Sequence, residues 1–177
     1  PYSILNIPNW QNLAEVGPYT YTNRTFSSNK YAYISAFGTG TTSPTTSTWL
    51  VTKGVNLNTT ATETLTFDTK QDFLLSAYPG GNNVGSTLKI LISTDYTGTG
   101  NPWTTGTWQD ITSQATLSPG STTSAFPSSY TASGNIDLSG YSGTIYIAFK
   151  NEGADPSGTT NDHTSAWEID NIKIIGN

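Results

Sequence analysis

Short runs in which apolar and polar residues alternate recur along the whole chain, and no longer periodicity competes with them. Leu88, Ile90 and Ile92 share one parity, as do Leu65 with Phe67, and Ile145, Ile147 with Phe149. A period of two puts such residues on one face of a β-strand, so this set is expected in the core. No stretch of ten or more residues keeps apolar positions at helical spacing without Gly, Pro or Thr intervening. The best helical candidate, 11–16, is expected to make one turn. Strands are expected near 3–7, 31–35, 48–51, 64–69, 73–78, 87–94, 109–111, 133–137, 144–150 and 166–175. Many short strands broken by turn residues, without crossover helices, imply an antiparallel sandwich or barrel.

The last of these runs carries an irregularity. Trp167 and Ile169 share one parity, whereas Ile172 and Ile174 share the other, so the alternation slips at Asp170-Asn171. A slip of one residue turns every later side chain to the opposite face, and a β-bulge is the economical repair. Bulges tend to lie beside sites, which directs attention to Asp170.

At 177 residues the chain is expected to be one module, 1–177, able to bury a substantial core. It has no Cys, which excludes disulfides, thiolate catalysis and Cys-ligated zinc. Lys plus Arg number 7 against 12 Asp plus Glu, for a net charge of −5 and a charged fraction of 11%. Phosphate binding needs clustered Lys and Arg, so nucleic acid is not an expected partner. Polarity comes from Thr, Ser, Asn, Gln and Gly, which suits a neutral hydroxyl-rich ligand and equally suits plain solubility. No apolar run approaches the ~18 residues of a membrane span. The start at Pro1, with neither Met nor a leader pattern, makes an excised piece of a longer protein the expectation.

Several motifs then align in order over nearly the whole chain. They are Asn6-Ile7-Pro8-Asn9-Trp10, Lys30-Tyr31-Ala32, Trp49-Leu50-Val51-Thr52, Val55-Asn56-Leu57, Leu65-Thr66-Phe67-Asp68, Ile92-Ser93-Thr94-Asp95-Tyr96, Ile136-Asp137-Leu138-Ser139, Tyr146-Ile147-Ala148-Phe149 and Ile169-Asp170-Asn171. Together they resemble the choice-of-anchor J or cleaved-adhesin-like modules of secreted Bacteroidota proteins. The resemblance implies a jelly-roll-like β-sandwich, related in shape to carbohydrate-binding and MAM-type domains, on a secreted or cell-surface protein. It implies a non-catalytic accessory role beside neighbouring domains. It also implies a structural calcium near the first and last strands, with Asp170 as the matching ligand. The segment 3–10 offers no acidic residue to join it, only Asn6, Asn9 and carbonyls.

Asp68, like Asp170, falls in an apolar strand run, where an ionised carboxylate is costly unless paired or metal-bound. Both are candidate ligands for calcium; the plain alternative is an exposed strand end accepting backbone N–H groups. Trp103 stands in the loop Gly100-Asn101-Pro102-Trp103-Thr104-Thr105-Gly106, where nothing local buries it. Its ring is a candidate platform for a sugar face, and Tyr78 before Pro79-Gly80-Gly81 is a second. Asp162 and His163 are candidates for hydrogen bonds to sugar hydroxyls. The alternative for Trp103 is a lid folded back on the sandwich. His163 is the only His and no Gly-x-Ser-x-Gly elbow is present, so no enzyme is expected. The expected function is recognition of a polysaccharide, neutral or sparsely charged, with a cell-surface adhesin or protein-interaction module as the alternative.

Overall fold

Leu65, Phe67, Leu88, Ile90, Ile92, Ile145, Ile147 and Phe149 all lie in one buried cluster between two antiparallel sheets. The structure is a computed structural model that describes residues 3–37, 43–73, 86–121, 126–155 and 165–176. Its strands are β1 (Ser3–Ile4), β2 (Gln11–Val16), β3 (Thr22–Phe26), β4 (Asn29–Ile34), β5 (Ser43–Val51), β6 (Val55–Asn56) and β7 (Thr64–Asp72). They continue with β8 (Thr87–Ser93), β9 (Gln109–Asp110), β10 (Thr131–Ala132), β11 (Ile136–Asp137), β12 (Thr144–Asp155) and β13 (Ala166–Ile175). The first sheet runs β1-β3-β4-β13-β7-β10, with β11 also on β7. The second runs β2-β5-β12-β8-β9, with β6 also on β12. The antiparallel β-sandwich expected from the alternation is the fold.

The two sheets meet through their alternating faces. Ala32 and Ile34 of β4, Trp167 and Ile169 of β13, and Leu65 and Phe67 of β7 face Leu50, Leu88, Ile90, Ile92 and the inner row of β12. Phe67 and Phe149 meet edge to face across the interior, with centroids 5.1 Å apart. Tyr21 is fully buried, and its hydroxyl donates to the Phe149 carbonyl at 3.1 Å, so its polar atom is satisfied inside the core.

Several expected elements differ: of the expected 3–7 and 133–137 only 3–4 and 136–137 are strand, and in the expected 73–78 Phe73 is not in a strand and 74–78 lie outside the described residues. Residues 11–16 form strand β2 rather than a helical turn, because the outer edge of β5 supplies backbone partners that local propensity does not foresee. Asn12 ties this strand down, donating to the Leu5 and Tyr21 carbonyls and accepting from the Tyr21 N–H. Strand β7 runs unbroken to Asp72, where a gap after residue 69 was expected. Its polar end is buried because Ser118 bonds the Gln71 N–H through its hydroxyl and Thr69 through its own N–H.

The slip at Asp170-Asn171 is a β-bulge. Asp170 pairs with Asp68 and Lys173 with Thr66, so two residues of β13 oppose Phe67 alone. Asn171 takes φ 52°, a left-handed conformation that Asn tolerates better than most residues. Beyond it Ile172 and Ile174 turn back to the core. Among the described residues no helix is long and apolar enough to cross a membrane.

Candidate functional site

Because Ala32, Ile34, Trp167 and Ile169 point inward, their neighbours Tyr31, Tyr33 and Glu168 stand on the outer face of the first sheet. Arg24 of β3 and Lys70 of β7 share that face, opposite Tyr31 and Glu168 respectively. The segment 126–130 lies over them, and together they enclose a groove of about 640 Å³ lined by Arg24, Phe26, Ser27, Asn29, Tyr31, Lys70, Phe126, Pro127, Ser128, Tyr130 and Glu168.

Aromatic contacts build the walls. The Arg24 guanidinium lies 3.2 Å from the centre of the Tyr33 ring, and Tyr33 meets Phe126 edge-on at 6.3 Å. Phe126 also meets Phe73 edge-on, with ring centres 6.0 Å apart. Phe26 is 74% exposed at the rim, where Ser27 and Ser28 turn the β3–β4 hairpin with φ of 47° and 69°. Two successive left-handed residues suit the twist of a two-residue hairpin loop.

The polar floor is organised around Glu168. Its side chain is almost buried, and Tyr130 donates to Oε2 at 3.0 Å. Burial, then the charge of Glu168, pushes the Tyr31 phenol up to about 12, and the same causes push Tyr130 higher still. Both phenols therefore stay protonated near neutrality and act as donors rather than bases.

At one end of the groove the bulge gathers Asp68 and Asp170. Asp170 Oδ2 accepts from Asn29 Nδ2 at 2.8 Å and Oδ1 from the Asn171 N–H at 2.7 Å. Asp68 Oδ2 accepts from Asn171 Nδ2 at 2.8 Å. Calcium needs about 6–8 oxygen ligands. Here the carboxylate lone pairs face amide N–H donors instead, and no group of three or more His, Cys, Asp or Glu side chains able to hold a metal occurs among the described residues. Strand β13 also leaves β4 after Ile169, and the opening forms a second hollow of about 260 Å³. Tyr31 lines both hollows.

Trp103 lies on the opposite sheet. It sits in a four-residue helix, α1 (Pro102–Thr105), half-buried, with its ring centre 6.4 Å from that of Trp49. Trp49, Val51, Leu91, Tyr96 and Ala148 form a buried outer cluster beneath Trp103, Trp108 and Tyr146. Trp108 donates its indole N–H to the Pro102 carbonyl at 2.8 Å, and Trp49 donates its own to Glu15 Oε2 at 2.8 Å. A side chain at Gly106 would meet Tyr96 Cβ at 2.9 Å, so glycine allows the loop to close this tightly. Tyr78, Asp162 and His163 lie outside the described residues. The outer row of Arg24, Tyr31, Lys70, Tyr130 and Glu168 was not foreseen; its signal was the polar parity of runs read only for their apolar members.

No curated protein matches the chain in sequence. Among solved structures, the K1 cleaved adhesin domain of Lys-gingipain from Porphyromonas gingivalis W83 is similar with a TM-score of 0.59 and 19% identity, over 97% of this chain and 93% of that one. A structure of carbohydrate-binding modules from the β-sandwich superfamily has a TM-score of 0.44 and 11% identity, over 96% of this chain and 58% of that one, too remote to bear on function. The first likeness establishes a shared fold. The model of the family described as Domain of unknown function (DUF5017) matches residues 53–176, more than half of the chain, and the chain belongs to that family.

Proposed function

We propose that this domain is a non-catalytic glycan-binding module of a secreted or surface-held protein, and that the groove beneath residues 126–130 is its site. The observation that carries the proposal is an open groove whose aromatic rings, Phe26, Tyr31, Phe126 and Tyr130, are interleaved with hydrogen-bonding groups at Arg24, Asn29, Lys70 and Ser128. Rings offer a face to the C–H surface of a sugar, and a few placed polar groups fix its orientation. Two protonated phenols beside one buried carboxylate suit binding rather than hydrolysis, which needs two carboxylates flanking the bond. The fold shared with a cleaved adhesin domain is in keeping with a surface-exposed accessory role.

Affinity gels loaded with a panel of neutral and acidic polysaccharides test the reading. Retention of the wild type should fall strongly in Phe26→Ala and Tyr31→Ala, with unchanged melting temperature in Phe26→Ala. Trp103→Ala should keep retention. Loss in Trp103→Ala alone would move the site to Trp103 with Tyr78, Asp162 and His163. Retention by no polymer would pass the function to adhesion or protein contact.

A further inference from the structure

We infer that the groove selects a carboxylate-bearing sugar, with the Lys70 ammonium, assisted by Arg24, as the group that receives the carboxylate. The inference rests on the glycan-binding reading and adds the chemical class of the ligand.

The domain carries a net charge of −5, yet the ionic side chains that line the groove are two cations, Arg24 and Lys70, and one carboxylate, Glu168. That carboxylate is only 5% exposed and is engaged by the Tyr130 hydroxyl, so it presents little acceptor surface to a ligand. Lys70 is placed differently. Its Nζ lies 4.4 Å from the centre of the Tyr130 ring, and it forms no ion pair among the described residues, whose ion pairs all lie on the second sheet between Lys89, Lys150, Glu15 and Glu152. An ammonium resting on a ring keeps its N–H donors, and the ring orients it without neutralising it.

Of the other carboxylates on this face, Asp68 and Asp170 are held at the bulge by the Asn171 and Asn29 amides, Asp72 is fully buried, and Asp137 accepts from the Ser139 N–H. They do not line the groove. What the groove offers a ligand is therefore led by the Lys70 ammonium, with the Arg24 guanidinium and the Ser128 hydroxyl on the same lining. A sugar carboxylate answers that offer, because a charge-assisted hydrogen bond is roughly twice as strong as a neutral one. The general acidity of the chain weakens attraction at a distance. It acts little within the groove, since exposed charges beyond about 8–10 Å are largely screened at physiological salt.

The test uses the full 177-residue chain in EDTA, so that metal bridging cannot carry retention. The probes are polygalacturonate, the same polymer with its carboxyl groups reduced, and sialyllactose as a terminal carboxylated sugar. Polygalacturonate or sialyllactose should bind, and binding should weaken about tenfold in Lys70→Gln, with Lys70→Arg recovering part of it. The melting temperature of both variants should stay that of the wild type, and added salt should weaken the wild type more than Lys70→Gln. Preference between the two acidic probes would separate an internal uronate from a terminal sialate. Equal binding of the reduced polymer, or full binding by Lys70→Gln, would overturn the carboxylate inference and leave glycan binding standing. Binding of no acidic or neutral glycan would overturn the underlying reading as well.

Discussion

Lys70 and Glu168 are direct cross-strand partners on β7 and β13, yet they form no ion pair among the described residues. Lys70 rests on the Tyr130 ring while the Tyr130 hydroxyl donates to Glu168, so one tyrosine separates two opposite charges that register brings together. Tyr130→Phe should keep the ring and remove the donor. Leaving a buried carboxylate short of a partner should lower stability by about 1–3 kcal/mol. Denaturant unfolding measures the loss, and the affinity gel should show weaker retention, because Glu168 then competes for Lys70.

The phenols of the groove give an alkaline signature. Tyr31 is raised from an ordinary value of 10.0 to about 12, by burial first and by Glu168 second. A folded value above the unfolded one means that the associated stability is complete below pH 10 and is lost as pH rises towards 12. Ultraviolet difference titration should find late-ionising tyrosine. In Glu168→Gln the Tyr31 transition should move part of the way back, since burial remains; an unmoved transition would remove Glu168 as a cause.

On the second sheet the pH dependence has the opposite sign. Burial tends to raise Glu15, but the Trp49 and Ser47 hydrogen bonds and Lys150, 3.3 Å away, bring it below its ordinary 4.5. Its hydrogen bond with Lys150, at 2.9 Å, lowers Glu152 as well. Depressed carboxylates contribute stability that is present above about pH 4.5 and fades as the pH falls through their lower folded values. Thermal melts from pH 6 to pH 2 should therefore show an acid limb that is shallower in Glu15→Gln.

The bulge yields a test of backbone and metal together. Asn171→Ala loses both the tolerated left-handed conformation and the amide that reaches Asp68, and should cost about 1–2 kcal/mol. Asn171→Gly should recover the backbone share. Calcium added after chelation should leave the wild-type melting temperature unchanged, because a ligand of the native state alone would raise it. A rise with added calcium would support Asp170 and Asp68 as cation ligands.

Much of the sandwich was legible in the residues themselves. Hydrophobic alternation is a local property, and the parity of Leu88, Ile90 and Ile92 or of Ile145, Ile147 and Phe149 survives into the core because period two leaves those side chains one face to occupy. The bulge was legible for the same reason: Trp167 and Ile172 cannot both face inward without an extra residue between them.

Pairing and enclosure depended on contacts distant in sequence. Nothing near Gln11 announces that β5 will take 11–16 as an edge strand, and nothing near Trp103 announces that Trp49, more than fifty residues earlier, will support its ring. The groove is the fullest case. Arg24, Lys70, Tyr130 and Glu168 come from separate segments, and each alone reads as an ordinary polar or aromatic position on a strand or loop. Sequence alone determined which faces had to be buried, since that follows from the spacing of apolar side chains along one strand. Which outward side chains would meet was decided by strand order, because β3, β4, β13 and β7 become neighbours only when the sheet closes around its last strand.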